Sequence, residues 1–176
     1  MPGGVRRFAL GSVLALAACA SSPKPEPPKT AAAPPRGGQE ALAVIREIEA
    51  EPFRDDDEAK AKNTVVMRWL TESPDITVIL CTELFPMRDK ETPYQGALFI
   101  QGMFAQAAYL IEHPGVSPKD EAVFTRSVTG ALRAYRKLLA MRPEQRQSGW
   151  DELDAAEQKG QLSPHVRKAM QACAKK

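Results

Sequence analysis

Histidine is nearly absent. The 176 residues hold two, His113 and His165, and neither has a second histidine or a cysteine at metal-ligand spacing. A zinc site is therefore not supported, and no other metal or cofactor is expected. No glycine-rich phosphate loop and no strand-turn-helix nucleophile elbow occurs, which closes the usual sequence routes to a nucleotide-binding or acyl-transfer enzyme. An excess of one charge is also missing, with 24 Lys and Arg against 22 Asp and Glu. Without it there is no electrostatic case for a nucleic-acid partner. The apolar run Phe8 to Ala18 is too short to cross a bilayer, which takes ~20 residues.

What is present is ordered along the chain. Arg6 and Arg7 precede that apolar run and small residues close it, the pattern of a cleaved export signal over 1–18. Both arginines fall in the leader, leaving 22 basic against 22 acidic residues in the remainder. Leu16-Ala17-Ala18-Cys19 resembles the lipobox of bacterial lipoproteins, in which the cysteine is lipidated and becomes the first residue. The resemblance covers the leader alone. It implies lipidation at Cys19 and, with Ala20 following rather than an aspartate, attachment to the outer membrane with the domain facing the periplasm. Several acyl chains at ~0.8 kcal/mol per buried CH₂ make such an anchor lasting. Arg6-Arg7 with Phe8 and Leu10 also resembles a twin-arginine leader, although the basic end of a general secretory signal is the simpler reading.

Residues 19–38 read as a tether. Pro23, Pro25, Pro27, Pro28, Pro34 and Pro35 alternate with small and polar residues, and no hydrophobic periodicity offsets chain entropy. Proline biases such a segment toward polyproline II, at ~3.1 Å per residue, so the tether reaches up to ~60 Å.

From 39 to 176 helical signals dominate. Ala41, Val44, Ile45 and Ile48 keep the spacing of one buried helix face. The acidic run Asp55 to Glu58 suits the positive end of a second helix, whose inner side is assigned to Ala59, the Lys62 stem, Val66, Trp69 and Leu70. Four dipeptides, Ser73-Pro74, Thr92-Pro93, Ser117-Pro118 and Ser163-Pro164, carry a capping hydroxyl followed by a residue that needs no N–H partner, so each predicts a helix start. Gln95 and Asp120 stand three residues after Thr92 and Ser117, near the capping-box position.

Ile76 to Cys81 is a β-branched run, but no second strand exists for it to pair with, and it is assigned to helix. Tyr94 to Ile111 is apolar nearly all round and predicts a central helix, while Gln101, Gln106 and two glycines argue against a membrane span. From Asp120, the stripe Phe124, Val128, Ala131, Leu132, Tyr135, Leu138 and Leu139 predicts an amphipathic helix ending before Pro143. Trp150 and Leu153 belong to a helix ending near Gly160, and Val166, Ala169, Met170 and Cys173 to a final one. The expected fold is a compact all-α bundle of about six or seven helices. Gly102 and Gly130 are read as places where core helices approach closely.

Without Cys19, two cysteines remain, Cys81 and Cys173. Both fall on apolar faces in what the leader implies is an oxidising compartment, so they are candidates for a disulfide, against the alternative of two separate buried thiols. No catalytic set is apparent. The polar residues nearest to a possible pocket are Gln101, Gln106, Tyr109, Glu112 and His113, and His113 before Pro114-Gly115 is explained by helix capping alone.

Ala131, Tyr135 and Pro143 give that segment a resemblance to the second helix of a tetratricopeptide repeat. Gly115 and Pro118 break the preceding helix of the motif, and no copy appears at an offset of about 34 residues, so helix-hairpin packing is expected rather than a repeat array. The resulting expectation is an outer-membrane-anchored, non-catalytic module that binds another envelope protein. In size, anchor and class it resembles the pilotins, small helical lipoproteins that escort secretin subunits; the likeness is one of architecture. The competing expectations are a small-ligand binder or enzyme with a pocket between the central helices, and a structural filler of the envelope.

Overall fold

The structure, a computed structural model, describes residues 37–87 and 94–175. Among the described residues there are six α-helices and no strand: α1 (Gly38–Ala50), α2 (Asp57–Glu72), α3 (Gln95–Glu112), α4 (Glu121–Met141), α5 (Ser148–Gln158) and α6 (Leu162–Cys173). Two 3₁₀ turns, Thr82–Leu84 and Pro143–Gln145, complete the order. The domain is an all-α bundle, as the periodicity predicts. No helix among the described residues is long and apolar enough to cross a membrane.

Each helix buries the face its spacing prescribes. Ala41, Ile45 and Ile48 are the buried residues of α1. The acidic run starts α2: the Asp56 carboxylate accepts from the Ala59 N–H at 2.9 Å, with Asp57 and Glu58 in the first turn. Ala59, Val65, Val66 and Trp69 face inward. The expected inner side differs in two respects, the first being that Leu70 is only half-buried. The second is that Lys62 is drawn outward to Glu47 at 2.8 Å and Glu58 at 2.6 Å, and Val65 takes the buried place.

The central pair is α3 and α4, and two glycines set their approach. A Cβ on Gly130 would stand 2.2 Å from the Ala105 Cβ, and one on Gly102 would stand 2.7 Å from Phe85 and 3.0 Å from the Ser127 hydroxyl. On one side α3 supplies Phe104, Ala107 and Ala108 to a core with Ile45, Ile48 and Val66. On the other side Leu98 joins a larger core with Leu84, Leu132, Leu138, Trp150 and Val166. Trp150 is stacked between Phe85 and Tyr135, at centroid distances of 5.9 Å and 5.6 Å.

Two expectations are corrected. Residues 76–81 are not helical and form no regular element, ending in Cys81 with an extended backbone. The pairing that no second strand supplies comes from a side chain: the Gln106 amide accepts from the Ile79 N–H at 3.2 Å and donates to its C=O at 3.3 Å. The backbone groups of Ile76, Thr77, Val78 and Leu80 bond to no described residue. Cys81 at the end of this segment is joined to Cys173 of α6 in a disulfide, with Cα atoms 5.8 Å apart.

The second correction concerns the hydroxyl-proline marks, of which Thr92-Pro93 lies outside the described residues. Ser73 ends α2 instead of opening a helix, and its hydroxyl accepts from the Asp75 N–H at 3.4 Å. Ser117 closes a similar turn with Lys119 at 3.2 Å, leaving Asp120 as the residue before α4. Ser163 lies inside the first turn of α6, where its hydroxyl donates to Glu121. In the first two, the hydroxyl closes a local turn two residues on, the competing use of the same chemistry.

Candidate functional site

The five polar residues expected near a pocket go to four different places. Gln106 is 2% exposed and fully engaged with Ile79, so it is part of the scaffold. Its two bonds fix the segment around Ile79 against the central helix, as a neighbouring strand would.

Tyr109 and Glu112, one turn apart on α3, line a cleft of about 340 Å³ with Arg46 and Glu49 of α1 and Arg126 and Arg133 of α4. Arg46 pairs with both Glu112 and Glu49, and Arg133 reaches Glu49 at 3.1 Å. Partial burial works against the Arg46 guanidinium, but its bonds to Glu112 and Glu49 prevail and raise its pKa. Arg126 lies over the Tyr109 ring, 5.4 Å from its centroid, and has no carboxylate partner among the described residues. Three guanidinium groups against two carboxylates leave the cleft positive by one. The network cross-links α1, α3 and α4, and each exposed pair contributes at most about 1 kcal/mol.

His113 does not line that cleft. Its Nδ1 meets the Tyr109 carbonyl at 2.9 Å and its ring stacks on Tyr109 at 4.1 Å. Because a carbonyl only accepts, Nδ1 carries the proton in this arrangement. Glu112 is held by Arg46 and His113 by the end of α3, so the two adjacent residues form no acid-base pair.

Gln101 stands apart from all of these. It lines a cleft of about 550 Å³ nearer the start of α3, with Tyr94, Ala97, Phe53 and Arg142 among its other lining residues. It is 3% exposed, and its amide bonds to no described residue. Nor is that amide sealed in the core, where the Trp150 Nε1 is the sole unpartnered side-chain nitrogen or oxygen among the described residues. The Arg142 guanidinium lies 5.5 Å from the centre of the Tyr94 ring, and Phe53 meets the same ring edge-on at 5.6 Å.

Sequence reasoning missed Arg46, Glu49, Arg126 and Arg133 around Tyr109, and Phe53, Tyr94 and Arg142 around Gln101. Helical spacing held part of the signal. Arg126 and Arg133, and likewise Tyr94 and Gln101, are seven residues apart and share a face. Among the described residues, no group of three His, Cys, Asp or Glu is placed to hold a metal ion. Cys19, with the leader and tether through Arg36, lies outside the described residues. Compared with protein-family models, with curated proteins and with solved structures, the chain matches none.

Proposed function

We propose that this chain is a lipoprotein of the outer membrane, anchored through lipid on Cys19, whose helical domain faces the periplasm and binds another protein of the envelope without catalysing a reaction. The observation that carries this reading is the lipobox-like Leu16-Ala17-Ala18-Cys19 at the close of an apolar leader, followed directly by a proline-rich tether. Two features of the domain support it. The Cys81–Cys173 disulfide suits an oxidising compartment outside the cytosol. Glu112 and His113, the nearest approach to an acid-base pair, are each committed to structural bonds. Within this class, a pilotin-like escort of an assembling envelope protein fits the size and the anchor.

The test is made on protein from its own host. Intact-mass analysis is expected to show a chain beginning at Cys19 and carrying diacylglycerol and an amide-linked acyl group, and Cys19→Ser is expected to leave the outer-membrane fraction. Crosslinking in the cell, followed by mass spectrometry, is expected to recover one envelope protein that also binds the purified chain. An unmodified thiol at Cys19 overturns the anchor, and failure to recover such a protein overturns the binding role.

A further inference from the structure

We infer that the cleft floored by Gln101 binds the carboxyl-terminal end of an extended peptide. This deepens the binding role proposed above, on which its biological meaning rests, by naming the chemistry of the partner. The cleft holds about 550 Å³, inside the ~300–1,000 Å³ range of ligand-binding clefts.

Three features define the occupant. First, Gln101 offers one donor and one acceptor side by side, 97% buried and without a partner among the described residues. A buried amide left unpaired is costly, so an amide facing an open cleft is poised for a group that supplies the complementary pair. The backbone of an extended chain supplies that pair. The same helix already demonstrates the match, since Gln106 takes both the N–H and the C=O of Ile79.

Second, the mouth of the cleft carries an unneutralised cation. Arg54 is paired with Asp56 and Glu58, and Lys60 with Asp55, but Arg142 has no carboxylate within ion-pair distance among the described residues. Its guanidinium, steadied over Tyr94, calls for a carboxylate, which it can hold through two parallel bonds.

Third, the aromatic corner of Phe53 and Tyr94 beside Arg142 calls for an apolar side chain. An acidic side chain would place the carboxylate and the apolar group on different residues. A free carboxyl terminus places both on one.

The spacing is consistent with a single chain. Tyr94 and Gln101 lie seven residues apart on one face of α3, which is about 10 Å of helix. An extended peptide covers that distance in about three residues at ~3.3 Å each. The terminal carboxylate therefore sits on Arg142, its side chain against Phe53 and Tyr94, and a peptide group about three residues upstream on Gln101.

The experiment uses the full chain extracted from host membranes in detergent. Fluorescein-labelled Ala-Ala-Ala-Phe with a free carboxylate is compared, by fluorescence anisotropy, with the same peptide ending in a carboxamide. The free acid is expected to bind about tenfold tighter, a difference one charge-assisted contact supplies. Arg142→Gln is expected to remove that difference. Gln101→Leu is expected to weaken acid and amide alike; if that variant fails to fold, Ala97→Leu, which narrows the cleft, carries the same expectation. N-acetyl-phenylalanine is expected to compete at least about tenfold less well than the peptide. Equal binding of acid and amide, no binding at millimolar peptide, discrimination that survives Arg142→Gln, or full competition by N-acetyl-phenylalanine overturns the inference. These failures concern the cleft, whereas an unmodified Cys19 concerns the anchor, so the two are told apart.

Discussion

The Gln106 amide and the Ile79 peptide groups form a closed pair of hydrogen bonds, with the donor and acceptor of each satisfied by the other at 3.2 Å and 3.3 Å. One side chain on the central helix thereby does the work of an adjacent strand. It fixes the six-residue stretch that carries Cys81 to its partner on α6.

Replacing Gln106 with leucine leaves both Ile79 groups without their partner and buries an isobutyl group in their place. A cost of about 2–4 kcal/mol is expected, since each stranded polar group costs about 1–3 kcal/mol. Urea denaturation reads the total. Hydrogen exchange localises it, with protection lost at Ile79 before it is lost in α4. Unchanged exchange at Ile79 would show that the pair does not hold the segment.

Gly130 tests the closeness of α3 and α4. Alanine there gains about 1 kcal/mol of helix propensity, but its methyl would meet the Ala105 Cβ at 2.2 Å. Overpacking costs of about 1–3 kcal/mol prevail where both atoms belong to packed helices. Gly130→Ala is expected to lower the Tm, and Ala105→Gly in the same chain to recover part of the loss. A double-mutant cycle checks the coupling.

The fold was legible wherever apolar periodicity was long. The stripe from Phe124 to Leu139 gave α4, and the nearly all-round apolar Tyr94 to Ile111 gave a central helix flanked by two cores. It was illegible where the decisive partner is distant in sequence. The β-branched run Ile76 to Cys81 is assigned to helix because no second strand can pair with it, whereas its pairing partner is a side chain 27 positions from Ile79. Ser73 and Ser117 announced caps, yet turn geometry claimed their hydroxyls first. The site residues were found as polar interruptions of α3; rotation about the helix turns Gln106 to another face, and distance along it separates Gln101 from Tyr109 and Glu112. Gln106, Tyr109 and Gln101 face three different surroundings.

The disulfide closes a loop between residues separated by 92 positions. Loop-closure entropy alone predicts a contribution of up to about 4.6 kcal/mol, and measured values often fall short of it. Cys81→Ser with Cys173→Ser, or added reductant, is expected to lower the urea midpoint. Titration of the unfolded, unreduced domain with a thiol reagent is expected to find neither cysteine free.

Acid should loosen the start of α2. The Ala59 N–H and then Arg54 hold the Asp56 carboxyl below its ordinary pKa, and Lys62 and then Arg54 do the same for Glu58. Carboxylates with folded values below their unfolded values contribute fully at neutral pH. That contribution begins to fall near the unfolded value of ~4 and is lost as pH drops through the lower folded one. Both groups are exposed, so the effect is screened by salt. Tm is expected to fall between pH 5 and pH 2 by less in an Asp56→Asn, Glu58→Gln variant than in the parent chain.

The backbone of Ile76, Thr77, Val78 and Leu80, which bonds to no described residue, has a consequence for solubility. Such a stretch is a sheet edge without a sheet, and its β-branched composition is the kind that recruits identical segments into intermolecular stacks. Pro74 and Asp75 interrupt it on one side and the covalent bond at Cys81 holds it on the other, so the template stays short. Cutting that bond would free the template's far end, and insoluble material would accumulate from the reduced chain sooner than from the oxidised one.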